Sequence, residues 1–75
     1  MTDLAGISGK QVVRAFTKIG YTVVRQKGSH VRLKHKDDPN RRPITIPLHK
    51  EIGVGLMYRF IRDAGITSEE FKKLL

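Results

Sequence analysis

The chain has 75 residues, with 15 lysines and arginines against 7 aspartates and glutamates, a formal charge of +8 and a pI near 10.3. A domain this small buries only about 60% of its unfolded surface, so one modest core over residues 1–75 is expected and a deep pocket for a large cofactor is excluded. The absence of cysteine excludes disulfides, thiolate zinc sites and cysteine nucleophiles.

Such an excess of cations calls for a polyanionic partner, through phosphate neutralisation and counterion release. Nucleic acid, an anionic membrane surface and an acidic protein would each serve. The membrane is the weakest of these. No apolar run approaches the roughly 20 residues of a spanning helix, and no basic-then-apolar leader resembles a signal peptide. A cytoplasmic setting is expected, with residues 1–7 flexible or loosely packed.

Ser8 reads as a helix N-cap. Over about residues 9–19, Val12, Val13, Phe16 and Ile19 recur at helical spacing, with Lys10, Arg14 and Lys18 on the polar side. Gly20 supplies the stop. Residues 21–26 are β-branched and aromatic in character and read as a strand, followed by Lys27-Gly28 as a two-residue hairpin turn. Residues 29–35 alternate: Val31 and Leu33 point one way, His30, Arg32 and Lys34 the other. Asp37, Asp38, Pro39 and Asn40 are turn formers. Ile44 and Ile46 then alternate with Thr45 in a short third strand between Pro43 and Pro47, which suits a sheet edge.

A second helix is expected to begin near Gly55, bury Leu56, Met57, Phe60, Ile61 and Ala64, and end at Gly65. Thr67 with Glu70 forms a capping-box pattern for a final short helix carrying Phe71, Leu74 and Leu75. The expected fold class is α+β: a helix, a three-stranded antiparallel meander and two helices. The helices cover one sheet face and leave the other open.

With Lys27-Gly28 as the turn, Gln26 stands opposite Ser29, Arg25 opposite His30, Val24 opposite Val31 and Val23 opposite Arg32. Cross-strand partners share a face. Val24, Val31, Leu33, Ile44 and Ile46 are therefore expected under the helices, and Arg25, His30, Arg32 and Lys34 in solvent. A one-residue slip would turn a strand over.

Cations around His30 disfavour its charged form, so a neutral ring able to accept a proton is expected. Beside a phosphodiester held by arginine and lysine, the proton within reach belongs to an RNA 2′-hydroxyl. Its removal starts attack on the adjacent phosphorus and yields a cyclic phosphate and a free 5′-hydroxyl end. DNA lacks that hydroxyl. Two plainer readings stay open on these residues: an exposed histidine beside a turn is most often a simple surface residue, and a basic sheet face more often binds than cuts.

Ser8-Gly9-Lys10, Gly20-Tyr21 and Arg25-Gln26-Lys27-Gly28-Ser29-His30, followed in order by Ile46-Pro47-Leu48-His49 and Ala64-Gly65-Ile66, resemble the HicA family of bacterial and archaeal toxins. The resemblance runs over nearly the whole chain from Ser8 onward. It implies a fold like the double-stranded-RNA-binding domain, ribosome-independent cleavage of mRNA by an endoribonuclease, and neutralisation by a HicB-type antitoxin. It maps the family's catalytic histidine onto His30. One departure stands at the second helix, where Gly55 is followed by Leu56 and Met57 instead of the threonine common in the family; a helix cap is put in question there and the chemistry is untouched.

The expected RNA contacts are Lys10, Arg25, Lys27, Ser29, Arg32 and Lys34. Gly28 belongs to the turn, and Ser29 either bonds a phosphate, steers His30 or serves that turn. Tyr21 stacks a base or, as is commoner at a strand start, packs against a helix. His35 has the parity of Val31 and Leu33 and reads as structural, at the core margin. His49, in the loop after the third strand, is the candidate for protonating the 5′-oxygen leaving group, against a structural role or water as the acid.

No metal or cofactor is expected. His30 and His35 point to opposite faces, and Asp37 and Asp38 lie in a turn without the third carboxylate that a catalytic Mg²⁺ usually needs beside its substrate. Lys72 and Lys73 complement the last helix's dipole. The free chain is expected to be a monomer. A non-catalytic module that grips duplex RNA by shape is a competing reading, although such domains span about 16 base pairs, a long reach for this chain. A basic face that only docks an acidic protein is the other.

Overall fold

The Gln11 N–H donates to the Ser8 hydroxyl at 3.2 Å, and the Ser8 N–H donates to the Gln11 side-chain oxygen at 2.9 Å. This reciprocal capping box satisfies two orphan donors and starts α1 (Gly9–Thr17) in the computed structural model, which describes residues 4–75. Helix α1 buries Val12, Ala15 and Phe16, while Val13 and Ile19 pack partly buried against the core.

Three strands follow, β1 (Tyr21–Lys27), β2 (His30–His35) and β3 (Ile44–Pro47), then α2 (Val54–Ala64) and α3 (Ser68–Leu74). The sheet is antiparallel in the order β1-β2-β3, so β2 is central and the short β3, bounded by prolines as expected, is an edge. Helix α2 has Gly53 as its N-cap, with no side-chain cap bond; Leu56, where the threonine is missing, is the third helical residue and not the cap. Helix α3 starts on the Thr67–Glu70 capping box. The fold is the expected α+β arrangement.

The core lies between the helices and one sheet face. Val31, Leu33, Ile44 and Ile46 meet Phe16, Met57, Phe60, Ile61 and Phe71 there. Phe16 is its hinge, with ring centroids 5.5 Å from Tyr21 and 5.4 Å from Phe71. Tyr21 is therefore a core residue and not a base-stacking platform. Its hydroxyl donates to the Arg42 carbonyl at 2.9 Å, and burial pushes its phenol above the usual tyrosine range.

Four expectations need correction. The hairpin turn is Gly28-Ser29, one residue later than expected, with Lys27 paired to His30. Val24 is 51% exposed and does not lie under the helices, because the pairing jumps from Val23↔Leu33 to Arg25↔Arg32 and leaves Val24 as the extra residue of a bulge. Leu56 is 37% exposed on the outer side of α2. Leu4 and Ile7 are buried where a loose start was expected, while Ala5 and Gly6 between them are exposed; the Ile7 carbonyl accepts from the Ile52 N–H at 2.7 Å. Residues 1–3 lie outside the described residues.

His35 is structural, at the core margin. Its Nε2 lies 2.6 Å from the Ile19 carbonyl, and its Nδ1 accepts from the Asp37 and Asp38 N–H groups at 3.2 and 2.9 Å. Donation at Nε2 with acceptance at Nδ1 assigns the neutral Nε2–H tautomer. The ring thus ties the α1–β1 connection to the turn after β2. Asp38 and Asn40 serve the turn themselves, the Asp38 carboxylate accepting from the Asn40 N–H at 2.9 Å. Arg41 bonds Asp38 at 3.3 Å and donates to the Ala64 carbonyl at 2.8 Å, strapping this loop to the end of α2.

Gly9 packs against the backbone of Pro47 and Leu48 so closely that a Cβ would overlap the Pro47 carbonyl oxygen. Gly9→Ala is expected to lower stability by about 1–3 kcal/mol through overpacking against backbone. Gly55→Ala, at a helical position with open space around it, is expected to raise stability by about 0.5 kcal/mol. Urea unfolding of both variants checks the pair; equal midpoints would contradict the close approach at Gly9. His35→Leu keeps the ring's bulk but strands its three backbone partners, and should cost about 1–3 kcal/mol in the same assay.

Candidate active site on the open sheet face

Alternation along β2 sends Val31 and Leu33 under the helices and His30, Arg32 and Lys34 into solvent, where all three are exposed. The turn sets where this row begins. Gly28 sits at the first central position with φ +59°, the pattern of a type II′ hairpin turn, which matches the strand twist and favours glycine. His30 is thereby the first residue of β2, opposite Lys27 on β1 and Pro47 on β3.

Arg32 stands opposite Arg25 and Thr45, with its Nη1 donating to the Thr45 hydroxyl at 3.4 Å. Lys34 stands opposite Thr22, further along the same face. The expected Arg25–His30 pair is thus replaced by Lys27–His30 and Arg25–Arg32. Arg25 still reaches the open face because its partner moves by two residues, which preserves parity.

Arg25, Lys27, His30, Arg32 and Thr45 line a shallow depression of about 210 Å³. No carboxylate of the described residues lines it. Among the described residues the one ion pair joins Arg41 to Asp38, so Arg25, Lys27, Arg32 and Lys34 have no acidic counter-charge within 4.0 Å there. Unneutralised charge gathered on one face raises the local concentration of anions. The His30 ring has no hydrogen-bond partner among the described residues, which leaves both nitrogens to a ligand.

Ser29 is exposed in the turn, and its carbonyl accepts from the Leu48 N–H at 2.6 Å. That bond carries the β2–β3 pairing past Pro47 and holds the following loop beside the turn. His49 is exposed in this loop, its carbonyl accepting from the Gly9 N–H at 3.0 Å. Lys10, the next residue of α1, is exposed at the same end of the molecule but belongs to the helix layer. Neither Lys10 nor His49 lines the depression.

The structure therefore brings together Arg25, Lys27, His30 and Arg32, keeps Lys34 on their face, and leaves Lys10, Ser29 and His49 at the margin. It adds Thr45, whose parity between Ile44 and Ile46 was the available signal. The close packing of Gly9 beneath the His49 loop had none, since it arises only when helix and strand meet. No three His, Asp or Glu side chains are grouped to hold a metal ion among the described residues, and no described helix is long and apolar enough to cross a membrane.

A family model described as HicA toxin of bacterial toxin-antitoxin matches residues 9–66, from the first residue of α1 to just beyond α2. No curated protein matches the chain.

If the depression holds phosphates, Arg25→Ala with Arg32→Ala should lower the slope of log affinity against log salt for single-stranded RNA by about 1.4–2, at roughly 0.7–1 for each lost contact. Titrations at several ionic strengths read this directly. An unchanged slope would remove both arginines from the interface.

Proposed function

The chain belongs to the HicA toxin family of bacterial toxin–antitoxin systems, and from that premise we propose that it is a metal-independent endoribonuclease that cleaves mRNA at His30. One observation carries this reading: an exposed imidazole without a hydrogen-bond partner among the described residues lies in a depression walled by Arg25, Lys27 and Arg32.

In the proposed reaction the His30 ring takes the proton of a ribose 2′-hydroxyl, and the 2′-oxygen attacks the adjacent phosphorus. The bond from phosphorus to the 5′-oxygen breaks, leaving a 2′,3′-cyclic phosphate and a 5′-hydroxyl end. Arg25, Lys27 and Arg32 stabilise the charge that builds on the non-bridging oxygens. The departing 5′-oxygen needs a proton, which His49 supplies if its ring swings over the turn and water supplies otherwise. Lys34, Ser29 and Lys10 extend the contact to neighbouring phosphates. The free toxin acts as a monomer in the cytoplasm, since its catalytic group and cations lie on one chain. A HicB-type antitoxin neutralises it by covering His30 and these cations.

A non-catalytic RNA-binding module is the alternative. It is favoured by the absence, among the described residues, of any side chain that orients the His30 ring. In the catalytic reading the bound phosphate provides that orientation.

His30→Ala should reduce cleavage by about 10²–10⁴-fold while its circular dichroism and its RNA binding at low salt match the parent. Chelator should leave the parent's rate unchanged, and RNA with a single 2′-deoxynucleotide at the scissile position should bind uncut. Undiminished cleavage by the alanine variant would eliminate His30 as the catalyst.

A further inference from the structure

Three hollows on the surface are joined by residues that they share. Thr45 lines both the His30 depression and a groove of about 290 Å³ between the β3 edge and α2. Arg59 lines both that groove and a shallow hollow of about 330 Å³ along α2. The three hollows thus adjoin one another in a series from the open sheet face, over the edge strand, to the outer side of α2.

Among the described residues no further strand covers the β3 edge along this path. Strand β3 has only four residues, runs from Ile44 directly after Pro43 to Pro47, and so offers a short edge poorly suited to further pairing. Leu56, Arg59 and Arg62 recur every three residues on α2 and are all exposed. The two arginines are separated by about 4.5 Å along the helix axis. Gly55 leaves the start of this row without a side chain.

The lining has two characters. Pro43 and Leu56 contribute apolar surface to the groove above the buried Ile44 and Phe60, and Arg59 contributes a cation. Asp63 is the carboxylate there, four residues from Arg59, and forms no ion pair within 4.0 Å among the described residues. Apolar surface beside guanidinium groups matches a nucleotide with its base unstacked and its phosphate exposed. A duplex keeps its bases stacked inside and is too stiff to turn over a sheet edge.

We propose that the RNA flanking the scissile phosphate leaves the His30 depression across Thr45 and is held single-stranded between β3 and α2. Its phosphates lie on Arg59 and Arg62, and a base lies against Leu56 and Pro43. This rests on the reading of the His30 depression as an RNA site. It makes the toxin selective for unpaired stretches, with contacts on both the sheet and the helix layer.

Binding of 2′-O-methylated, uncleavable RNA of two lengths tests the path: a trinucleotide, which fills only the depression, and an unstructured dodecanucleotide. Arg59→Ala with Arg62→Ala should weaken dodecanucleotide binding by about tenfold and lower its salt slope by about 1.4, while leaving trinucleotide affinity unchanged. Lys72→Ala with Lys73→Ala removes the same charge from α3 and should preserve the gain with length. Equal losses on both lengths, or equal losses in both double variants, would reduce the effect to net charge and overturn the path. Unchanged RNA binding with weakened antitoxin binding would make the groove a protein dock and also overturn it. A parent chain that binds no RNA would remove the underlying reading. A parent that cleaves through His30 while the α2 variant keeps the length dependence would remove the path alone.

Discussion

Between Val23 and Arg25 the first strand carries one residue more than its partner, and this bulge assigns the two ends of β1 to opposite faces. Tyr21 goes into the core, packed on Phe16 and bonded to the Arg42 carbonyl, while Arg25 and Lys27 join His30 in solvent. In a strictly alternating strand Tyr21 and Arg25 would have the same parity. Burial of the tyrosine would then turn Arg25 to the helix side of the strand, away from His30 and Arg32. The extra residue removes the conflict and leaves Val23 and Val24 half exposed at the sheet edge.

The site is held at both ends by polar contacts that the helices make with strand termini. At one end Gly9 packs on Pro47, its N–H bonds the His49 carbonyl, and the Ser29 carbonyl receives the Leu48 N–H. The turn that presents His30 is thereby fixed to the start of α1. At the other end His35 joins the Ile19 carbonyl to the turn after β2, and Arg41 fastens that turn to the end of α2. The candidate face is open, yet the backbone beneath it is tied to every layer. Rigid elements hold a functional constellation more accurately than loops do, which suits a chain too small to enclose its substrate.

Charge on the open face opposes folding, since Arg25, Lys27, Arg32 and Lys34 repel one another without nearby carboxylates among the described residues. Their mutual repulsion is relieved when phosphate or an acidic surface covers them. In the proposed scheme the same feature serves both the affinity for RNA and the attraction of a neutralising partner, so that substrate and antitoxin compete for one face.

The elements themselves were legible because they rest on local physics. Ser8 and Thr67 cap helices, Gly28 lies in a turn, and the alternation of β2 sorts Val31 and Leu33 from His30, Arg32 and Lys34; each depends on residues within a few positions of one another. The order of motifs from Ser8 to Ile66 likewise identified the family without coordinates. What tertiary structure alone decided was which strand residue meets which. The turn moved by one residue and the bulge absorbed the change, exposing Val24 and pairing Lys27 with His30, since hairpin register answers to the helix layer as well as to the turn. The burial of Leu4 and Ile7, the contact of Gly9 with Pro47 and the exposure of Leu56 were likewise decided there. Each depends on distant segments meeting in space, which no local periodicity encodes.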